Sequence, residues 1–339
     1  MKIWEGIPLS LVLFRALEPE TNPTRAKSIL KAFCDYPWTV LYKKFHGLAI
    51  SSLGLGTLTW GQDTDDFEAR EQIELFIESG GTLFDTSETF HPASLSILNS
   101  ALKSRPRHSF QISLHINAYE NRRHFIDNFR QVTTVLDLER IDYLVVEPRM
   151  EFQHWSKIAE ELIRLYDSSE IDGILFRNVA AWQSVRLQSQ LPAHLYIGEH
   201  FDYSILESQK VDRLDQVKSV DKKILASTSL ASGVLTGKYR ATIPADSRAA
   251  SPHLKERTER YLTSQNLVIV EAVEKAALAL GVSTATIALS WLRQQESIGS
   301  AIIGPRTVAQ LRTLLSESNF ELPSAITEAL NDLHIQRQA

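Results

Sequence analysis

Cysteine is nearly absent: Cys34 is the single one among 339 residues. One thiol forms no intramolecular disulfide and leaves no cysteine-based zinc cluster, so a reducing, cytoplasmic setting is the natural expectation. Long apolar runs are missing as well. Ile7 to Phe14 is apolar but short, follows Glu5 rather than a basic segment and lacks a convincing cleavage site, so it reads as a packed extension and not as a signal peptide. No other run approaches the length of a membrane span. Nor is there an excess of charge of one sign. A formal net charge of -5, with acidic and basic residues interspersed, offers no electrostatic footprint for nucleic acid or an anionic membrane. These absences point to a globular chain that acts on a small molecule. With 43% hydrophobic residues it can bury a large core, as two ordinary domains or as one barrel.

The periodic pattern favours the barrel. From about residue 48, short β-branched runs alternate with segments of helical period, the pattern of repeated βα units around a parallel sheet. Strands are expected at Ser52–Thr57, Thr82–Thr86, Phe110–Ile116, Tyr143–Glu147, Gly173–Phe176, His194–Gly198, Lys223–Ala226 and Ser300–Ile303. The first helix is expected over Asp65–Ser79, the second over Ser94–Ser104, and a polar, proline-containing stretch from Arg240 to Arg257 interrupts the rhythm. Eight units fit a closed barrel better than an open sheet, giving an α/β fold of the (β/α)8 TIM type over residues 44–339 with an N-terminal extension at 1–43 packed on it. In such a barrel functional residues collect at the C-terminal ends of the strands. Those ends offer Asp85, His115, Glu147, Arg177 with Asn178, His200, and Ser227 to Ser229. Several polar groups converging from successive strands favour a site over isolated structural residues.

Four segments then carry a resemblance. They are Ser51-Ser-Leu-Gly-Leu-Gly-Thr-Leu-Thr-Trp-Gly61, Gly81-Thr-Leu-Phe-Asp-Thr-Ser-Glu-Thr-Phe-His91, Ser229-Leu-Ala-Ser-Gly-Val-Leu-Thr-Gly-Lys-Tyr239, and the run Ala277 to Leu311 with Ile303-Gly-Pro-Arg-Thr-Val-Ala-Gln-Leu311. Together they resemble the aldo-keto reductase family, NADPH-dependent carbonyl reductases built on a (β/α)8 barrel, over roughly residues 44 to 334. The lone Gly54-Leu-Gly56 is weak evidence for a dinucleotide fold, since no third glycine opens a helix after it, and it matches the family's first barrel strand instead.

The resemblance implies a tyrosine that protonates the substrate carbonyl, activated by a lysine paired with an aspartate, and a histidine that orients the substrate oxygen. Asp85 matches the aspartate. Phe90 stands at the tyrosine, His115 at the lysine and Glu147 at the histidine. Phenylalanine has no proton to give, and positioned general acid catalysis is worth on the order of 10²- to 10⁴-fold, so weak or no ordinary carbonyl reduction is expected. His91, Tyr119 and Glu88 are the candidate substitute donors in neighbouring loops.

For the NADPH cofactor the resemblance carries over Asn178, His200, Ser229, Leu230, Gly233, Gly304, Arg306, Thr307 and Gln310. Asn178 matches the carboxamide-binding asparagine, with Arg177 in place of the preceding serine; His200 replaces a glutamine, and Ser227 replaces the aromatic residue on which the nicotinamide stacks. Ser229, Leu230 and Gly233 fit the phosphate-side loop, and Gly304, Arg306, Thr307 and Gln310 the adenosine-phosphate end, where Leu314 replaces an asparagine. An arginine beside a helix N-terminus is a sound anion site on physical grounds.

Three functions fit this pattern: a diverged NADP(H)-linked oxidoreductase with Asp85, His115 and Glu147 as a modified proton relay; a non-redox enzyme using an Asp/His/Glu site at the barrel mouth; and a noncatalytic binding or regulatory protein. Of these the first is favoured. No metal is expected, because His115 neutralising Asp85 and Arg177 bonding Glu147 explain the same residues. Residues 1–43, with Trp4, Phe14, Phe33, Tyr36 and Trp38, could form a protein interface but are expected to cover the barrel's N-terminal end. Trp60 and Trp155 are candidates for a pocket wall or for packing.

Overall fold

Eight parallel strands close into a barrel, each a run of mostly buried residues. The computed structural model describes residues 40–45, 47–118, 121–148, 155–207, 222–245 and 247–335. In chain order these form β1 (Tyr42–Phe45), β2 (Leu48–Ser51), β3 (Leu53–Gly56), α1 (Asp66–Glu78), β4 (Leu83–Ser87), α2 (Pro92–Leu102), β5 (Gln111–Ala118), α3 (Arg122–Leu136), β6 (Ile141–Pro148) and α4 (Trp155–Asp167). They continue as β7 (Ile171–Arg177), α5 (Ala181–Gln188), β8 (Tyr196–Asp202), β9 (Lys223–Ser227), α6 (Lys255–Glu259), α7 (Ser264–Leu280), α8 (Thr284–Gln294), β10 (Ile298–Ile303), α9 (Val308–Ser316) and α10 (Ser324–Ile335). The closed order is β10-β3-β4-β5-β6-β7-β8-β9. Among the described residues no helix is long and apolar enough to cross a membrane.

Alternation along each strand separates two apolar layers. Leu83, Tyr143, Val145, Leu175 and Leu225 fill the barrel interior, while residues such as Phe84 and Phe176 face outward onto Phe76 of α1 and Trp155 of α4. The antiparallel β1–β2 hairpin, which the sequence pattern does not announce, adds Phe45 and Ile50 to the interior layer, with the Phe45 ring edge-on to Tyr143 at 5.1 Å. This hairpin closes the N-terminal end of the barrel. The expectation for the extension otherwise falls on residues 1–39, outside the described residues.

Two boundaries differ from the pattern. Helix α2 begins two residues earlier than Ser94, because Pro92 occupies its first turn and His91 caps it, Nδ1 accepting from Ala93 N–H at 3.3 Å. The sixth barrel strand spans Tyr196–Asp202 rather than His194–Gly198. Its register against β7 shifts between Ile174 and Leu175, so that Ile174 pairs with Tyr196 but Leu175 with Gly198. Ile197 is the extra residue of this bulge. With strict alternation Ile197 facing inward would put Glu199 inside and His200 outside; the bulge reverses them. Glu199 accordingly bonds Ser184 of α5 at 2.5 Å on the outer face, and His200 reaches Asp85 inside.

Candidate active site

Asp85 lies in the middle of β4, His115 in the second half of β5, and His200 comes from β8 across the barrel; all three are buried. His115 Nε2 stands 2.8 Å and His200 Nε2 3.3 Å from the same Oδ1 of Asp85, and the two imidazoles meet edge to face with centroids 4.3 Å apart. Arg177, at the end of β7, places Nη1 2.7 Å from His200 Nδ1. A guanidinium only donates, so Nδ1 of His200 accepts and its proton resides on Nε2, directed at Asp85. Burial pushes the His200 pKa down to about 4, with His115 adding to the effect against the opposing pull of Asp85. Burial alone would raise the Asp85 carboxyl, but His115 and His200 outweigh it and hold Asp85 well below the usual carboxylate range.

The three side chains also bring one oxygen and two nitrogens within 4.8 Å of one another, a donor set with the composition of a metal site. The tautomer argues against a cation. An Nε2 that carries the proton has no lone pair to offer, and moving that proton to Nδ1 would aim it at the Arg177 guanidinium.

Arg177 ties this cluster to its surroundings. Its Nε lies 3.4 Å from Glu147 Oε2 on β6, and its Nη2 3.4 Å from Asp202 Oδ1 on β8. Asp202 also takes Thr228 Oγ1 at 2.9 Å, Ser227 Oγ at 2.8 Å and Arg260 Nη2 at 3.2 Å. Burial acts to raise this carboxyl, yet Arg177 and Arg257 overcome it and keep Asp202 ionised far below its ordinary value. Ser227, where the resemblance implies an aromatic ring, is thus committed to an ion network.

A 560 Å³ cavity opens at this end of the barrel. Asp85, His115, Glu147, Arg177 and Phe90 line one part of it, with the Phe90 ring 6.4 Å from that of His115. Lys238, Arg248, Arg257 and Arg306 line another, along with Ser229, Leu230, Gly233, Gly304 and Gln310 from the cofactor set. Gly233 has φ +91°, a conformation that glycine adopts without strain. Arg248 is half-buried, and its Nη2 donates to Gly304 O at 2.6 Å; desolvation, with Arg257 beside it, lowers its pKa to about 10, so it remains a cation at neutral pH.

The remaining cofactor candidates are off the cavity wall. Asn178 is exposed, with φ 48°, and its Oδ1 accepts the Asp202 N–H at 3.1 Å. His200 lies behind the wall. Thr307 caps α9, accepting from Gln310 N–H at 3.2 Å, while Val308 N–H donates to Glu68 Oε2 at 2.6 Å and Arg306 N–H to Gln310 Oε1 at 2.9 Å. The helix N-terminus is therefore already provided with acceptors, and attraction for anions comes from the guanidinium and ammonium groups of the wall. Asp202, Arg248, Arg257 and Lys238 were not among the sequence candidates. Three arginines in the single stretch 240–257 were the available signal for Arg248 and Arg257.

Of the substitute donors, Glu88 faces Asn117, whose N–H it accepts at 2.7 Å, and His91 caps α2; neither is on the cavity wall, and Tyr119 lies outside the described residues. Trp60 and Trp155 are packing residues, their Nε1 groups donating to Gln72 Oε1 at 3.3 Å and Leu187 O at 3.2 Å.

The neutral His200 has a consequence for stability. The unfolded chain takes up a proton at this imidazole below pH 6.5 and the folded chain only near pH 4, so stability present above 6.5 is lost as pH falls through that window. Asp85 does not offset this, since its own effect lies below 3.8. Denaturant titrations should give a slope of up to about 1.4 kcal/mol per pH unit between these values, which His200→Gln should flatten.

Residues 52–335 match the model of the Aldo/keto reductase family. The chain is 25% identical over 315 residues to "Uncharacterized oxidoreductase YrpG" of Bacillus subtilis (strain 168), covering 85% of this chain and 93% of that protein. It is 24% identical to "Probable voltage-gated potassium channel subunit beta" of Oryza sativa subsp. japonica, covering 76% and 84%. Among solved structures, the thermostable aldo-keto reductase Tm1743 in complex with the inhibitor epalrestat superposes with TM-score 0.69 at 20% identity, covering 86% of this chain and 99% of that one. A glycerol dehydrogenase from Gluconobacter oxydans gives 0.69 at 18% identity, covering 89% and 96%.

Proposed function

Because the chain belongs to the aldo/keto reductase family, we propose that it is an NADP(H)-linked oxidoreductase whose ordinary carbonyl reduction is weak or absent. The observation that carries this reading is Phe90, which presents a ring without a proton to the cavity beside His115. The family's usual donor is a phenol at that position, and no other tyrosine lines the cavity among the described residues.

The donor set fits the cofactor unequally. Arg248, Arg257, Arg306 and Lys238 provide cationic N–H donors suited to its phosphates, and Gly233 lets the backbone approach closely. At the nicotinamide end the fit is poor: Ser227 gives no stacking face and is bonded to Asp202, and Asn178 is turned out of the cavity. When bound, the cofactor would supply hydride chemistry. Asp85 and His115 hold a proton at the cavity wall, Arg177 fixes Glu147 and His200, and Phe90 excludes water from one wall. The remaining partner is a small molecule in the same cavity, in a cytoplasmic setting.

Titration of the purified protein with NADPH, followed by cofactor fluorescence, tests the reading. Saturable binding below about millimolar concentration is expected; no binding at millimolar NADPH would remove its support.

A further inference from the structure

The cavity wall next to Phe90 holds one polar atom whose orientation is fixed from behind. Arg177 makes His200 Nδ1 an acceptor and so puts the His200 proton on Nε2, toward Asp85. His115 commits its own Nε2 to the same carboxylate oxygen at 2.8 Å. Its other nitrogen, Nδ1, takes no hydrogen bond from the described residues and is not among their sealed polar atoms, so it opens on the cavity that His115 lines.

We propose that Asp85 and His115 form a dyad whose working atom is His115 Nδ1, a base that takes a proton from a ligand hydroxyl. Arg177 and His200 are positioning residues. The inference deepens the oxidoreductase reading and rests on it for the ligand class, an alcohol. In that step the O–H bond breaks, its electron pair stays on the ligand oxygen, and the proton forms the Nδ1–H bond of an imidazolium. Asp85 stabilises that imidazolium and holds its ring, the part a carboxylate plays behind a catalytic histidine in general. The other charged groups around His115 are mutually engaged: Glu147 with Arg177 at 3.4 Å, and Arg177 with His200 at 2.7 Å. A His200 with its proton on Nδ1 would point a lone pair at Asp85, so the Arg177 contact is what lets two imidazoles share one carboxylate.

The test uses full-length wild-type protein and diethyl pyrocarbonate, which acylates an imidazole nitrogen with an accessible lone pair, each histidine peptide being followed by mass spectrometry. His115 should be acylated in the native protein and His200 spared. In Asp85→Asn, checked for folding by circular dichroism, acylation of His115 should slow by about tenfold, because the carboxylate that holds the ring proton on Nε2 and leaves the lone pair on Nδ1 is gone. Nitrogen-15 histidine spectra of the wild type should show His200 as the neutral Nε2–H tautomer. Acylation of His200 ahead of His115, a His115 that stays inert while surface histidines react, or an Nδ1–H tautomer at His200 would each overturn the proposal. If NADPH fails to bind while His115 reacts as stated, the dyad stands and the oxidoreductase reading falls.

Discussion

Phe90→Tyr combined with His115→Lys and Glu147→His is expected to raise the turnover of an aromatic aldehyde with NADPH by about 10²- to 10⁴-fold over the wild type, the usual worth of a positioned general acid. The three changes are needed together. A phenol titrates near 10, so a tyrosine at 90 is a poor acid for neutral pH unless a cation stands beside it. His115 gives Asp85 one ring nitrogen at 2.8 Å and places no ammonium beside position 90. A lysine at 115 would be an ammonium with the same carboxylate for a partner. A histidine at 147 would restore a donor for the substrate oxygen, and Arg177 would keep Asp202 and His200. Phe90→Tyr alone should therefore gain much less. The measurement is kcat/KM on the single, double and triple variants. A folded triple variant at the wild-type rate would locate the block at the nicotinamide end, with Ser227 and Asn178.

Gly198→Ala should destabilise the protein by about 3 kcal/mol or more and uncouple His200 from Asp85. A Cβ at position 198 would lie 2.1 Å from the carbonyl oxygen of Lys223 on the neighbouring strand, and a backbone atom in a ladder has no rotamer into which to retreat. The clash can be relieved only by parting β8 from β9, which pair from Gly198–Lys223 to Asp202–Ser227. Since the bulge at Ile197 and Gly198 is also what turns His200 inward, the variant should lose site geometry as well as stability. Thermal unfolding gives the first effect, and the acid limb assigned to His200 gives the second: it should shrink in Gly198→Ala. A variant as stable as the wild type would show that the bulge is not needed.

How far the sequence could be read follows from these particulars. The barrel is legible because its strands and helices differ in period, and because Asp85, His115, Glu147 and Arg177 lie on strands whose alternation is regular. His200 was visible as a strand-end residue, but its approach to Asp85 depends on a one-residue bulge, which alternation alone does not foretell. The β1–β2 hairpin is short, and only its burial against the Tyr143 ring marks it as the barrel's plug. Asn178 was carried over by motif, yet a left-handed backbone at φ 48° turns it out of the cavity. Likewise the sequence places Arg306 beside a helix N-terminus but does not show that Glu68, distant in sequence, already occupies the Val308 N–H. Long-range contacts of this kind leave no mark on local pattern.

The most direct test of a rebuilt site is the turnover of an ordinary aromatic aldehyde by the wild-type protein with NADPH at saturating concentration. With Phe90 on the cavity wall and His115 held by Asp85, the rate should lie about 10² or more below that of the triple variant. Robust turnover of the aldehyde by the wild-type protein, with kcat of about 1 s⁻¹ or more, would contradict it.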